Sequence, residues 1–260
     1  MPLRHLNAIR YVAPFREGGS MPGLIEGDDG KLYVVKLRGA GQGPLALVSE
    51  VIAGELARAL GLPVPEIVLM QLDHLFGRHE RDPEIRDLLR ASEGINAGLA
   101  FLDGATTFDP AAGDRMSGAM ASLIVWLDAF TMNVDRTPRN PNLLRCGEET
   151  WLIDHGASLY FHHDWPTAEA KVASPFEAIR DHVLLPWADD IAGASALAHE
   201  RLNADVIERI VDLLPDDWLV SEESDNPSAQ RKKYRAFLEA RLAKSSIFEE
   251  EVRRVRASGL

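Results

Sequence analysis

A change of pattern near residue 72 constrains the fold of this chain most. Before it, short apolar runs are separated by glycine-rich turns, as in a small sheet. After it, apolar residues recur mainly at helical spacing. Asn7–Val12 is a first strand, followed by Gly18-Gly19-Ser20-Met21-Pro22-Gly23. Leu24–Glu26 and Lys31–Leu37 flank the turn Gly27-Asp28-Asp29-Gly30 and predict a hairpin. After the flexible stretch Gly39–Pro44, Leu45–Leu60 reads as a helix with Leu45, Val48, Ile52, Leu56 and Ala59 on one face. Gly61 ends that helix, Pro63 and Pro65 prevent its resumption, and Ile67–Leu72 is a further strand.

Beyond residue 72, Met116–Met132 predicts an apolar helix that packs through Met120, Leu123, Trp126, Leu127 and Phe130. Asn142–Arg145 and Thr150–Ile153 read as a hairpin around Gly147. Amphipathic segments follow at Pro166–Arg180, Asn203–Leu214 and Ser228–Arg256. The expected architecture is therefore α+β. A smaller sheet-plus-helix part spans 1–72 and a mainly helical part spans 73–260, with a cleft between them as a natural ligand site.

Composition narrows the partners. The 260 residues are 46% hydrophobic and 26% charged, ordinary values for a globular chain. Against 28 Lys and Arg stand 40 Asp and Glu, for a net charge of -12. That excludes a broad surface for nucleic acid or anionic lipid but permits a local basic pocket for one polyphosphate. Cys146 is the only cysteine, so neither an intrachain disulfide nor a cysteine-built zinc site is expected. Met1–Phe15 carries Arg4, His5, Asn7 and Arg10 and does not read as a signal peptide. Ala119–Leu127, the most apolar stretch, is too short to span a bilayer. A soluble, cytoplasmic protein without a membrane partner is expected.

The residues able to carry chemistry fall in four places. The glycines at 18–23 allow a backbone to approach phosphate oxygens, although they match neither the P-loop nor the dinucleotide pattern. Lys36 lies on the strand face of Val34, opposite Tyr33, Val35 and Leu37. In Asn133-Val134-Asp135-Arg136-Thr137-Pro138-Arg139-Asn140-Pro141-Asn142, a carboxylate and a carboxamide five residues apart can converge on one centre. Asp135 can orient a hydroxyl and accept its proton, and the Asn140 oxygen suits Mg2+. Asp154 ends the strand Trp151-Leu152-Ile153 before His155-Gly156, well placed to ligate a metal in a cleft, with a strand-ending turn as the alternative. Arg136 or Arg139 offsets phosphate charge or, in the reading we favour, anchors the loop through an ion pair. His162-His163-Asp164 suggests a metal hydrolase only weakly, because adjacent histidines of an extended chain point apart. The basic runs at 231–235 and 253–256 read as solvated helix faces, and the five tryptophans as core or cleft walls.

This order of features resembles the protein-kinase-like arrangement for phosphoryl transfer. More narrowly, the chain is similar to HipA-like kinases, a branch related in design to phosphoinositide kinases. The likeness rests on Tyr33-Val34-Val35-Lys36, on Ser49-Glu50 running to Leu60-Gly61-Leu62-Pro63-Val64-Pro65, and on Asp135–Leu144, with Asp154 added. The resemblance implies a two-lobed fold and use of ATP and Mg2+. It implies that Lys36 contacts the ATP phosphates, Glu50 pairs with Lys36, Asp135 is the catalytic base, and Asn140 and Asp154 hold Mg2+. It also implies nucleotide contacts from Gly18, Gly19, Ser20 and Met70. The implied acceptor is a protein Ser/Thr hydroxyl, with a small molecule or lipid headgroup as rival and a non-catalytic nucleotide-binding scaffold as a further alternative. The HipA toxins carry an additional N-terminal segment, so their substrate and toxin behaviour are not carried over.

The sequence departs from the kinase pattern in places. His155 stands where protein kinases usually carry Phe, and Thr137 where they often carry Lys. On a helical wheel Glu50 points away from Val48 and Ile52 and shares its side with Ala46, Ala53 and Ala57. Glu55, nearer the apolar face, is the alternative partner for Lys36.

Overall fold

A computed structural model describes residues 2–15, 21–41, 43–220 and 226–258. Gly18, Gly19 and Ser20, the expected phosphate-approaching residues, lie outside them.

The chain opens with β1 (Arg4–Pro14), β2 (Gly23–Gly27), β3 (Leu32–Lys36), α1 (Pro44–Ala59), β4 (Ile67–Leu72), α2 (Pro83–Ala91) and β5 (Gly94–Ala100). The five strands close into a barrel in the order β1-β2-β3-β5-β4. Its seam is a parallel pairing of β1 with β4, Arg4 opposite Val68 and Leu6 opposite Met70. The expected hairpin of β2 and β3 is present, and Gly30 adopts φ +77° in its turn, a conformation that costs glycine little. Alternation sorts the side chains. Leu6, Ile25, Tyr33, Val35, Val68, Met70 and Leu72 fill the barrel, and Ile85 and Leu89 of α2 join them. Ile67, Leu69, Ala97 and Leu99 face outward, into the same core as α1.

The break expected at residue 72 does not end the sheet, because β5 pairs with both β3 and β4. Its sequence, Gly94-Ile95-Asn96-Ala97-Gly98-Leu99-Ala100, is rich in Gly and Ala and lacks the β-branched alternation that marks a strand. The glycine leaves room for the neighbouring strand: a Cβ on Gly98 would sit 3.0 Å from Val68 Cγ2. Tertiary pairing thus overrides local propensity.

α1 ends as the sequence predicts. Gly61 takes φ +80°, its N–H donates to Arg58 O, and the Leu62 N–H donates to Ala57 O, the double bond of a Schellman cap.

After β6 (Thr106–Thr107) come α3 (Gly118–Thr131), β7 (Leu143–Cys146), β8 (Glu149–Leu152), α4 (Trp165–Val172), α5 (Ile191–Arg201), α6 (Ala204–Val211), α7 (Pro227–Ala243) and α8 (Ser245–Ala257). α3 is the axis of this part and is buried from Ala121 through Thr131. α5 and α8 pack on it, and α1 reaches it from the barrel side. Trp126 stacks on Phe130 at 5.2 Å and meets Phe248 edge-on at 5.4 Å, while its Nε1 donates to Glu249 Oε1 at 2.9 Å.

The amphipathic stretch 228–256 is two helices, not one, broken at Lys244 before Ser245-Ser246. Serine competes locally with the helical backbone. Likewise Pro166–Arg180 divides into α4 and a 3-10 turn at Glu177–Asp181. No described helix is long and apolar enough to cross a membrane.

Candidate active site

The site is built where β3, α1, the loop after α3 and the chain leaving β8 meet. Lys36 lies opposite Ala97 on β5, which lies opposite Leu69 on β4. It therefore projects from the outer face of the barrel, as alternation predicts. Its Nζ donates to Glu50 Oε2 at 2.6 Å and to Asp154 Oδ1 at 2.5 Å. Glu50 is fully buried and Asp154 is 42% exposed, so the lysine joins the interior of α1 to an open carboxylate.

Burial alone would push Lys36 toward the neutral amine, but Glu50 and then Asp154 more than reverse this and raise its pKa. Burial would likewise push the Glu50 carboxyl up, but the Lys36 charge and the His155 hydrogen bond hold it at about 2. Glu55, the alternative partner, sits beside Arg58 at 3.3 Å, and burial raises its pKa. The wheel argument against Glu50 fails because α1 is buried on nearly every side, including Leu47–Gly54.

The turn after β8 is fitted to this pair residue by residue. Asp154 has φ +53°, a left-handed conformation that aims its carboxylate at Lys36. The His155 N–H donates to Glu50 Oε2 at 2.8 Å, and its ring Nδ1 lies 3.4 Å from Glu50 Oε1. A Cβ on Gly156 would stand 2.7 Å from Lys36 Nζ, so glycine leaves the lysine its place.

The loop after α3 is fastened from below. Met132 caps α3 in the left-handed region, and Asn133 Nδ2 donates to Asp128 Oδ1 at 3.0 Å. The Asp135 N–H donates to Asn133 Oδ1 at 3.1 Å, and Asp135 Oδ2 accepts from Asn140 Nδ2 at 2.7 Å and Asn142 Nδ2 at 3.3 Å. Arg136 turns inward. Its Nε donates to Asp128 Oδ2 and its guanidinium to Asn142 O, both at 2.5 Å. Asp128 also faces His182 Nε2 at 2.9 Å. Burial would raise the Asp128 carboxyl, but Arg136 and His182 hold it well below the usual range. Arg136 is therefore buried in an ion pair, while Arg139 is exposed.

Two backbone contacts bring the halves of the site together. Leu143 pairs with Leu152, and the Ile153 N–H donates to Asn142 O. The strand leaving the Asp135 loop thus runs beside the strand delivering Asp154. Asn140 commits its amide nitrogen to Asp135 and retains a free oxygen, and Asp154 retains Oδ2. These are hard oxygen donors of the kind Mg2+ takes alongside phosphate oxygens.

Other expectations fare differently. Met70 is fully buried inside the barrel, on the face opposite Leu69 and Lys36, so its side chain does not reach this site. Its place in the strand alternation carried that information. His162 turns its Nδ1 to Tyr234 Oη at 3.0 Å while His163 is exposed, so the two do not face one point. Arg231, Arg235 and Arg254 of the basic runs pair with Asp216, Glu208 and Glu251. Asp128, Asn142 and His182 were not foreseen as supports. Asp128 and His182 are 54 residues apart, and no local pattern joins them.

The fold has a solved counterpart in a kinase. The proinflammatory kinase CtkA of Helicobacter pylori superposes with a TM-score of 0.61 at 15% identity, covering 96% of this chain and 99% of that chain. A Golgi casein kinase with Mn and ADP bound gives a TM-score of 0.48 at 11% identity, over 96% of this chain and 73% of that chain. No curated protein matches by sequence. The likeness to CtkA shows a kinase fold of mixed sheet and helix. Residues 9–248 match the family described as HipA-like kinase, and the chain belongs to that family. It is an ATP-dependent kinase.

Proposed function

We propose that the chain transfers the γ-phosphate of ATP, with Mg2+, to a hydroxyl, and that protein Ser/Thr side chains are its acceptors. The observation that carries this reading is the convergence of Lys36, Glu50 and Asp154 beside a loop in which Asn140 and Asn142 hold Asp135. In this reading the barrel with α1 and α2 is the smaller of two lobes, the division falls after Ala100, and the nucleotide lies between them.

Lys36, held charged by Glu50, contacts the ATP phosphates. Asp154 and the oxygen of Asn140 hold Mg2+, which when bound offsets charge on the phosphate oxygens. Asp135 orients the acceptor hydroxyl and takes its proton as the hydroxyl oxygen bonds to the γ-phosphorus. The bond from that phosphorus to the bridging oxygen breaks, and ADP leaves. Positioning and charge stabilisation supply most of the catalysis. Pro138, Arg139 and Asn140 are exposed beside Asp135, which leaves room for a macromolecular acceptor.

The test is transfer of label from γ-labelled ATP to protein, peptide and small hydroxyl acceptors by wild type and Asp135→Ala. The variant should lose at least about 100-fold in transfer while still binding Mg·ATP. Transfer that persists in the variant would show that Asp135 is not the base. Labelling of small hydroxyls but not of proteins would move the acceptor class. Nucleotide binding by wild type without transfer to any acceptor would favour the scaffold.

A further inference from the structure

We propose that the His155 side chain is a positioning residue that locks the Asp154 turn onto the Lys36–Glu50 pair, so that the phosphate-holding and metal-holding groups form one rigid unit. The inference rests on the phosphoryl-transfer reading and assigns a task to the position where protein kinases usually carry Phe.

Glu50 is a fully buried carboxylate, and its partners among the described residues are Lys36 and His155 alone. Oε2 receives the Lys36 ammonium and the His155 backbone N–H. Oε1 faces the imidazole Nδ1 at 3.4 Å. A phenylalanine would leave that oxygen buried without a donor, and an unsatisfied buried acceptor is costly.

The ring is itself fully buried, and its Nε2 has no partner among the described residues. This selects the tautomer. A proton on Nδ1 points at the carboxylate and leaves only a bare lone pair at Nε2. The other tautomer would set a lone pair against the carboxylate and bury an unpaired N–H. Space is made for the arrangement on α1. A Cβ on Gly54, one turn after Glu50, would lie 2.6 Å from Ile67 Cδ1 and 3.8 Å from His155 Nδ1, so glycine lets the helix close on β4 beside the ring. Asp154, His155 and Gly156 therefore each serve the same pair. The first accepts from Lys36, the second donates to Glu50, and the third leaves room for the lysine.

The experiment compares wild type, His155→Phe, His155→Gln and Asp154→Ala by calorimetric titration with Mg·ADP and by thermal unfolding. Nitrogen-15 NMR of the wild-type imidazole reads the tautomer. His155→Phe keeps an aromatic ring but removes the donor to Glu50, and should weaken Mg·ADP binding about tenfold together with a fall of a few degrees in apo Tm. His155→Gln, which restores an amide donor, should recover most of that loss. The NMR should find the proton on Nδ1. Mg·ADP binding by His155→Phe equal to wild type, a lowered Tm with unchanged binding, no recovery in His155→Gln, or a proton on Nε2 would each overturn the proposal. If wild type binds no Mg·ADP, or Asp154→Ala binds it as well as wild type does, the phosphoryl-transfer reading itself fails. Loss in Asp154→Ala together with wild-type binding in His155→Phe removes only the role of His155.

Discussion

Lys36 shows how one side chain can be both buried and charged. Water is replaced by two carboxylates at 2.6 and 2.5 Å, and the lysine holds its proton more firmly than in solution. That balance depends on Gly156. Gly156→Ala places a methyl 2.7 Å from the ammonium nitrogen, inside contact distance, and pushes it from its place. It should abolish stabilisation by Mg·ATP while leaving a folded chain, as read by circular dichroism and thermal unfolding. Retained stabilisation would mean that Lys36 has another way into the site. His162 gives a pH dependence of its own. Burial, then the charge of His163, lowers its pKa from 6.5 to about 3. Because the unfolded chain binds the proton more readily, the stabilising contribution is complete above about pH 6.5 and is lost progressively as the pH falls toward 3. His182, also lowered mainly by burial, adds in the same direction. The Tm should therefore fall between pH 7 and pH 4, and NMR should show His162 remaining neutral through that range. A His162 midpoint near 6.5 would contradict the burial argument.

Elements were legible where their ends carried chemistry. The β2–β3 hairpin followed from Asp28-Asp29-Gly30, the β7–β8 hairpin from Gly147, and the end of α1 from Gly61. α2 offered a signal that was passed over: Asp82 caps it by accepting from the Glu84 N–H, and Pro83 opens it. β5 had no local signal, because what makes Gly94–Ala100 a strand is the pair of neighbours on either side. The ends of α3 and α4 depend on a residue far along the chain. Arg241 of α7 is fully buried and donates to Ala129 O and Phe130 O of α3, to Lys171 O and Val172 O of α4, and to Ser174 O. Burial lowers its pKa to about 10, so the cation persists at neutral pH. Arg241→Met removes these donors and leaves the carbonyls of the buried residues Ala129, Phe130 and Val172 without them, at roughly 1–3 kcal/mol each. A loss of at least about 3 kcal/mol is expected in urea unfolding. A loss under about 1 kcal/mol would show that water or relaxation replaces the arginine.

Across the whole molecule, linear order revealed more of the site than of its supports. The candidates Lys36, Glu50, Asp135, Asn140 and Asp154 stand out as a sequence of residue types, and the fold brings Lys36 and Asp154 together from 118 residues apart. The loop-anchoring ion pair of Arg136 was legible, but its partners Asp128, Asn133 and His182 beneath Asp135 were not, because a contact between a helix end and a distant 3-10 segment leaves no periodic trace. The small residues Ala46, Ala53 and Ala57 on the side of Glu50 were the local sign that another element can close on α1 there, and that closure buries Glu50.

The central claim is that these parts form one magnesium–nucleotide cleft. Thermal unfolding of wild type and Asp154→Ala, each with and without Mg2+ and ATP, tests it most directly. With ATP at a hundred times its dissociation constant, wild type should gain about 2.7 kcal/mol, a rise of roughly 5–10 °C in Tm. The gain should require Mg2+ and vanish in Asp154→Ala. No shift with any nucleotide at millimolar concentration, or an equal shift in the variant, would contradict the account.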